Sequence, residues 1–202
     1  MVIGISGKIR SGKSRVAKTI IKILEENGKT GVVKSFAQPL YEIISEMYDY
    51  DIETIKRDKQ DKVPIYINTR QTQCGFKISN YREILQIIGT GARNHGDVDI
   101  WINALFGVGN EKVCNFLGNN KGSVWVIEDL RFPNEAKRIR DCNGILIRVE
   151  RKNHQPNEHV IENSLNDWQD WDLIIENNFE SKKKRKKGLR KILENYLTGV
   201  VV

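Results

Sequence analysis

The sequence has no apolar stretch approaching the roughly 18 uninterrupted residues of a membrane span, so no span is expected. Its opening, Met1-Val2-Ile3-Gly4-Ile5-Ser6, lacks the basic segment that begins a secretory signal peptide, and a cytoplasmic protein is expected. Cysteine is scarce. Cys74, Cys114 and Cys142 are odd in number and widely spaced, with no histidine at metal-ligand spacing, which argues against a disulfide framework and for reduced thiols. His95, His154 and His159 lie too far apart in sequence to suggest a metal cage, so no structural zinc is expected.

Acidic residues are missing from one segment in particular. The formal charge of +7 invites a nucleic-acid reading, but Lys182, Lys183, Lys184, Arg185, Lys186, Lys187, Arg190 and Lys191 supply eight positive charges with no intervening acid. Without that run the chain is close to neutral. The run belongs to the last helical pattern, where Leu189, Ile192, Leu193 and Leu197 form an apolar stripe. A solvated helix face is the first reading, and contact with nucleic acid or a membrane surface is the alternative.

What is present fits one domain with insertions, since 202 residues suffice for one cored domain but not for two independent α/β domains. Met1 to Ser6 reads as a strand and Ser14 to Leu24 as a helix. Further strands are expected at Thr30 to Phe36, Val124 to Glu128, Ile145 to Val149 and Leu173 to Ile175. Pro39 to Tyr48 reads as helix, and Asn134 to Cys142 as a helix opened by Pro133 and closed at Asn143-Gly144. Short apolar strands alternating with helices predict the α/β class, a parallel sheet covered on both faces. Asp49 to Ser79 is polar, with a hairpin expected around Ile65 to Ile78, and Asn80 to Leu117 reads as largely helical.

Gly7-Lys8-Ile9-Arg10-Ser11-Gly12-Lys13-Ser14 matches the phosphate-loop pattern, placed between the first strand and the first helix as the chemistry requires. Its glycines let successive backbone N–H groups turn inward on phosphate oxygens, and the helix presents its positive end to the same anion. Lys13 would bridge the β- and γ-phosphates and Ser14 would ligate Mg²⁺. The motif specifies a nucleoside triphosphate but does not separate a kinase from a GTPase or a motor.

A second constellation follows the strand Val124 to Glu128. Asp129, beside the phosphate loop, is a candidate for holding Mg²⁺ through water or for orienting the acceptor, and Arg131 offers a planar fork to a phosphate. The alternative is that Asp129, Asn134 and Glu135 only cap the next helix. Arg151, with Lys152 behind it, leaves the strand Ile145 to Val149 in a basic loop and is a candidate cation for the transferring group; a solvated loop is the alternative.

Several stretches together resemble the viral and bacteriophage deoxynucleoside monophosphate kinases, a P-loop nucleoside monophosphate kinase-like family. They are the loop Gly7 to Ser14, Ser35-Phe36-Ala37-Gln38-Pro39-Leu40, Arg82-Glu83-Ile84-Leu85-Gln86 with Gly89-Thr90, Asp99-Ile100-Trp101, Asp129 to Glu135, and His159 to Leu165. The resemblance spans nearly the whole chain. It implies a three-layer P-loop NTPase fold over residues 1–202, with a helical acceptor-binding insertion at about 37–118 and a lid at about 150–164. It implies ATP and Mg²⁺, with the γ-phosphoryl group passing to a deoxynucleoside monophosphate. Lys13, Asp129, Arg131 and Arg151 would be catalytic, Gly7, Lys8, Arg10, Ser11, Gly12, Lys13 and Ser14 would hold ATP, and Ser14 and Asp129 the metal. Phe36, Ala37, Arg82, Gln86, Arg93, Trp101 and Glu162 would line the acceptor site, although a tryptophan on an apolar helix face is more often core. Two departures are Ser14, where many relatives carry an acid, and Ile161, where a serine often precedes the glutamate.

Small-molecule nucleotides are the expected partners; a membrane or nucleic acid is not, and a homodimer is left open. The rival readings are a kinase of dephospho-coenzyme A or a phosphomevalonate-like acid, a nucleic-acid-binding ATPase or switch working through the basic run, and an inactive phosphate-loop scaffold. Intact Lys13, Ser14, Asp129 and Arg131 argue against the last.

Overall fold

The structure is a computed structural model and describes residues 1–68, 76–120, 122–152, 164–179 and 181–200. In chain order the elements are β1 (Val2–Ser6), α1 (Lys13–Glu26), β2 (Gly31–Lys34), α2 (Gln38–Tyr48), α3 (Ile52–Asp61), β3 (Pro64–Asn68), β4 (Phe76–Asn80), α4 (Tyr81–His95), α5 (Ile100–Phe106), α6 (Glu111–Asn119), β5 (Val124–Leu130), α7 (Pro133–Asp141), β6 (Ile145–Glu150), β7 (Leu173–Glu176) and α8 (Lys182–Val200). They divide into two units, residues 1–36 with 106–202, and Ala37–Leu105.

The first unit carries a five-stranded sheet in the order β2-β5-β1-β6-β7, every neighbouring pair parallel. All five residues of β1 are buried, which is why Val2 to Ile5 carries no polar side chain rather than alternating. Parallel strands need crossovers, and α1 carries the chain from β1 to β2 while α7 carries it from β5 to β6. One face is covered by α1 and α8. Val16, Ile20, Ile23 and Leu24 of α1 and Leu189, Leu193 and Leu197 of α8 join Ile3, Ile5, Val126 and Ile147 in a single apolar cluster. The opposite face takes α7, whose Ile139 occupies the space that a side chain on Gly4 would need. This is the expected α/β class, three layers with helices on both faces of the sheet. Because β5 and β6 flank β1 on opposite sides, a crevice opens at the carboxyl end of β1, where open α/β sheets bind ligands.

The second unit has its own core, built from Leu40, Tyr41 and Ile44 of α2, Ile55 of α3, Tyr81, Ile84 and Leu85 of α4, and Trp101 of α5. Its β3 and β4 pair antiparallel, Ile65 opposite Ser79, as the expected hairpin requires. Helix α3 lies in the stretch Asp49 to Ser79, where the sequence pattern predicts polar chain and a hairpin but no helix. It forms because Asp51 caps it, accepting from Thr54 N at 2.9 Å, while Ile55 is fully buried in the unit's core. The unit ends at Leu105, earlier than the expected insertion limit of about 118. The reason is aromatic packing: Phe106 and Phe116 both lie against Trp125 of β5, with ring centroids 6.0 and 5.3 Å away, so α6 belongs with the sheet. Of the expected lid at about 150–164, residues 153–163, including Glu162, His154 and His159, lie outside the described residues, as does Cys74. No helix among the described residues is long and apolar enough to cross a membrane.

Candidate phosphate-binding site

The loop between β1 and α1 takes the backbone shape its glycines predict. Gly7 and Gly12 sit at φ +149° and +109°, and Arg10 between them is also left-handed at 60°. Gly12 is sterically obligatory as well, since a Cβ there would lie 2.3 Å from Asn177 Nδ2. That amide donates to Ser11 O at 2.6 Å, and Asn177 N donates to Glu150 O at 2.7 Å. The segment after β7 therefore ties the phosphate loop to the end of β6. Lys13 Nζ donates to Gly7 O at 2.6 Å and to Lys8 O at 2.9 Å, which holds the ammonium over the loop.

Around this loop opens a cleft of about 280 Å³. Arg10, Lys13, Arg15, Arg151 and Arg185 line it together with Gly12, Ser14 and Asn177; five of these residues are cations and none is a carboxylate. Such a concentration of like charge makes the cleft attractive to anions. Among the described residues, two buried polar atoms at the loop lack partners: Ser11 Oγ, on a residue 1 % exposed, and Asn177 Oδ1, on a residue 2 % exposed. Buried polar groups are normally satisfied, so orphans of this kind mark a place completed by water or ligand. Ser14 is exposed on the cleft, and its hydroxyl is the hard oxygen donor that Mg²⁺ prefers.

A second, smaller recess of about 30 Å³ is lined by Ser6, Gly7, Ile9, Lys13, Arg131, Arg148 and Leu165. Lys13 is common to both cavities. Arg148, opposite Ser6 in the parallel register, is 8 % exposed. Burial pulls its guanidinium pKa down, only partly opposed by Glu150 at 3.8 Å. Its hydrogen bonds to Ser6 Oγ (3.3 Å) and Asn166 Oδ1 (3.4 Å) are long, and its remaining support is the Trp171 ring, 5.6 Å from the guanidinium carbon. This is a poorly compensated buried cation beside the loop lysine.

The expected residues fare differently. Lys13, Ser14, Arg10, Gly12 and Arg151 meet in the cleft, Gly7 and Arg131 line the recess, and Arg151 Nη1 lies 3.4 Å from Arg10 O. Lys8 contributes its carbonyl to Lys13. Asp129 accepts from Ser35 Oγ at 2.7 Å and Phe36 N at 2.9 Å, so it fixes the turn leaving β2. Glu135 takes the capping role, accepting from Arg131 N at 2.8 Å and Phe132 N at 3.1 Å.

Two aromatics named for the acceptor site have buried side chains. Phe36 is 3 % exposed and stacks on Phe106 with centroids 5.7 Å apart, so its side chain is core and only its backbone is a turn element. Trp101 is 6 % exposed within the second unit's core, and its indole N–H is taken by Gly89 O at 3.0 Å, leaving no open face for a base. Ala37 starts α2 as its N-terminal flanking residue. Arg82, Gln86 and Arg93 stand at positions i, i+4 and i+11 of α4, which places them on one helix face. Arg82 Nε is buried without a partner, and Arg93 Nη1 donates to Val98 O at 3.4 Å.

Sequence reasoning missed Arg148, Asn177 and Arg185. Arg148 had a signal, a charge in the middle of an otherwise apolar strand. Arg185 had one too, standing four, eight and twelve residues before Leu189, Leu193 and Leu197 of the buried stripe.

No family model and no curated protein matches the chain. Among solved structures it is similar to the "Crystal structure of APE1195", at 11 % identity and a TM-score of 0.45 over 100 % of this chain and 97 % of that one.

Proposed function

We propose that this chain is an ATP-dependent deoxynucleoside monophosphate kinase. The observation that carries the reading is the Gly7 to Ser14 loop opening onto a cleft lined, among the described residues, by five cations and no carboxylate, with Lys13 shared between that cleft and a second cationic recess. Two adjoining anion sites joined by one lysine are what phosphoryl transfer between two phosphate-bearing molecules needs. In the reaction an oxygen of the acceptor's phosphate bonds to the γ-phosphorus of ATP. The bond from that phosphorus to the β–γ bridging oxygen breaks, and dNDP and ADP leave.

Catalysis of this kind is positioning and charge neutralisation. Backbone N–H groups of the loop and the N-terminal end of α1 hold the donor phosphates, with Arg10 and Arg15 at the cleft wall. Lys13 neutralises the transferring group, and Arg131 and Arg148 hold the acceptor's phosphate from the recess. Arg151, beside Arg10, closes the cleft. Ser14 would hold Mg²⁺, with Asp129 the candidate carboxylate for it, and the ion would supply charge neutralisation between the phosphates. Arg82, Gln86 and Arg93 on one face of α4, with the resemblance of their segment to the kinase family, support a nucleotide as acceptor.

Incubation with γ-labelled ATP, Mg²⁺ and a panel of dNMPs, NMPs, dephospho-coenzyme A and phosphomevalonate tests this reading. Label appearing in one or more dNDPs supports it. Label transferred only to a non-nucleotide acceptor, or only to water, overturns it.

A further inference from the structure

We infer that Arg185, inside the basic run of α8, is a donor-nucleotide contact that binds the phosphates of ATP and ADP, while the run's flanking lysines serve solubility. The inference rests on the ATP reading above and assigns a residue to it.

The run looks uniform in sequence but is not uniform in space. Lys183, Lys184, Lys186 and Lys187 are exposed, whereas Arg185 is half-buried and lines the cleft beside Gly12, Lys13, Ser14 and Arg15. Helical spacing explains the difference, because Arg185 stands one turn before the buried Leu189 and so lies at the edge of the inward stripe. Its Nε is buried and has no hydrogen-bond partner among the described residues. An Arg side chain turned inward with an unsatisfied donor is costly unless something completes it.

The helix itself points the same way. Ser181 starts α8, accepting from Lys184 N at 3.2 Å, and the first turn then carries basic residues and no acid. Cations at the positive end of a helix oppose its dipole, the reverse of the usual arrangement. An anion at that end would relieve both the dipole and the cations. Asn177, 2 % exposed, lines the same cleft, and its amide donates to Ser11 O at 2.6 Å, which ties the phosphate loop to this corner. The geometry of this corner is fixed by packing, since Phe179 lies against Gly188 so closely that a Cβ on the glycine would come within 2.2 Å of the ring. That contact docks the turn after β7 on α8 and holds Arg185 at the cleft.

The chemistry identifies the ligand class. Of the cleft's five cations, Arg185 is the one supplied by α8, and a di- or triphosphate is an anion with enough charge to satisfy such a cluster. Arg185 therefore acts as a binding residue for the donor, and its removal affects donor affinity more than turnover at saturation.

The test is calorimetric titration of ADP and of adenosine into wild type, R185Q, R185K and the triple variant K183Q/K186Q/K187Q, with thermal unfolding and circular dichroism of each. R185Q is expected to bind ADP about tenfold or more weakly, the effect typical of removing one charge-assisted hydrogen bond. R185K should recover part of it, the triple variant should bind as wild type does, and adenosine affinity should not change between wild type and R185Q. Equal ADP affinity in wild type and R185Q overturns the inference and leaves the kinase reading standing. An equal weakening for adenosine overturns the phosphate contact by placing Arg185 on the nucleoside. If wild type does not bind ADP, the ATP reading falls first and this inference with it.

Discussion

Replacing Arg148 with methionine is expected to stabilise the fold and to weaken anion binding at the same time. The interactions that hold the guanidinium are weak ones. Hydrogen bonds at 3.3 and 3.4 Å to Ser6 and Asn166 are at the outer limit of useful geometry and contribute about 0.5 kcal/mol each. The Trp171 ring adds about 0.5–1 kcal/mol, and the pairing with Glu150, a largely exposed carboxylate 3.8 Å away, adds about 0–1 kcal/mol. Against this stands the penalty of keeping a guanidinium 8 % exposed, several kcal/mol for a buried ion. The unbranched thioether of methionine fills much of the same volume. The net expectation is a gain of about 1–2 kcal/mol, which for a chain of this size raises Tm by about 2–8 °C. Differential scanning calorimetry and urea titration measure it, and isothermal titration with a dNMP measures the accompanying fall in affinity. A variant destabilised by about 2 kcal/mol or more would refute the reasoning, because Arg148 would then be holding the fold rather than serving the site.

Three further outcomes follow from local geometry. Gly12→Ala drives a Cβ to 2.3 Å from Asn177 Nδ2 at φ +109° and should cost about 2–4 kcal/mol through broken hydrogen bonding and backbone strain; an unchanged urea midpoint contradicts this. Asn80→Ala removes the cap that accepts from Glu83 N at the start of α4 and should lower stability by about 1 kcal/mol, while Asn80→Asp should retain it; urea titration of both variants measures the difference, and equal midpoints would contradict the capping role. Cys114 is exposed, whereas burial, reinforced by nearby Cys114 and Asp141, pushes the Cys142 thiol pKa up. Iodoacetamide at neutral pH should therefore label Cys114 well before Cys142, and raising the pH should speed Cys142 labelling; peptide mass mapping showing Cys142 first would contradict the burial argument.

What was legible in the sequence was what local chemistry determines. The loop Gly7 to Ser14 announces itself because each residue type answers a nearby backbone or phosphate requirement, and β1 does so because a strand buried on both faces is apolar throughout. Helix α7 carries its start signal in Pro133 and Glu135. Helix α3 was less legible because it has only Ile52 and Ile55 as apolar anchors in a polar stretch, and its stability comes from a cap and from one side chain buried against α2 and α4. The burial of Phe36 depends on Phe106, far along the chain, which no local pattern encodes, whereas the apolar helix face around Trp101 already favoured the core position it takes. Asn177 meets Ser11 across 166 residues of chain, and no local pattern encodes that meeting. Arg185 was hidden by its basic neighbours, although its spacing from Leu189 carried the information.

The central claim is that Lys13 joins two phosphate sites across which a phosphoryl group passes. A coupled assay of ADP release with Mg·ATP and each dNMP, run on wild type and Lys13→Ala in parallel, tests it most directly. The account predicts turnover with at least one dNMP that falls by about two orders of magnitude or more in the variant, with the folded state preserved by circular dichroism. Near-equal turnover in the two proteins would contradict it.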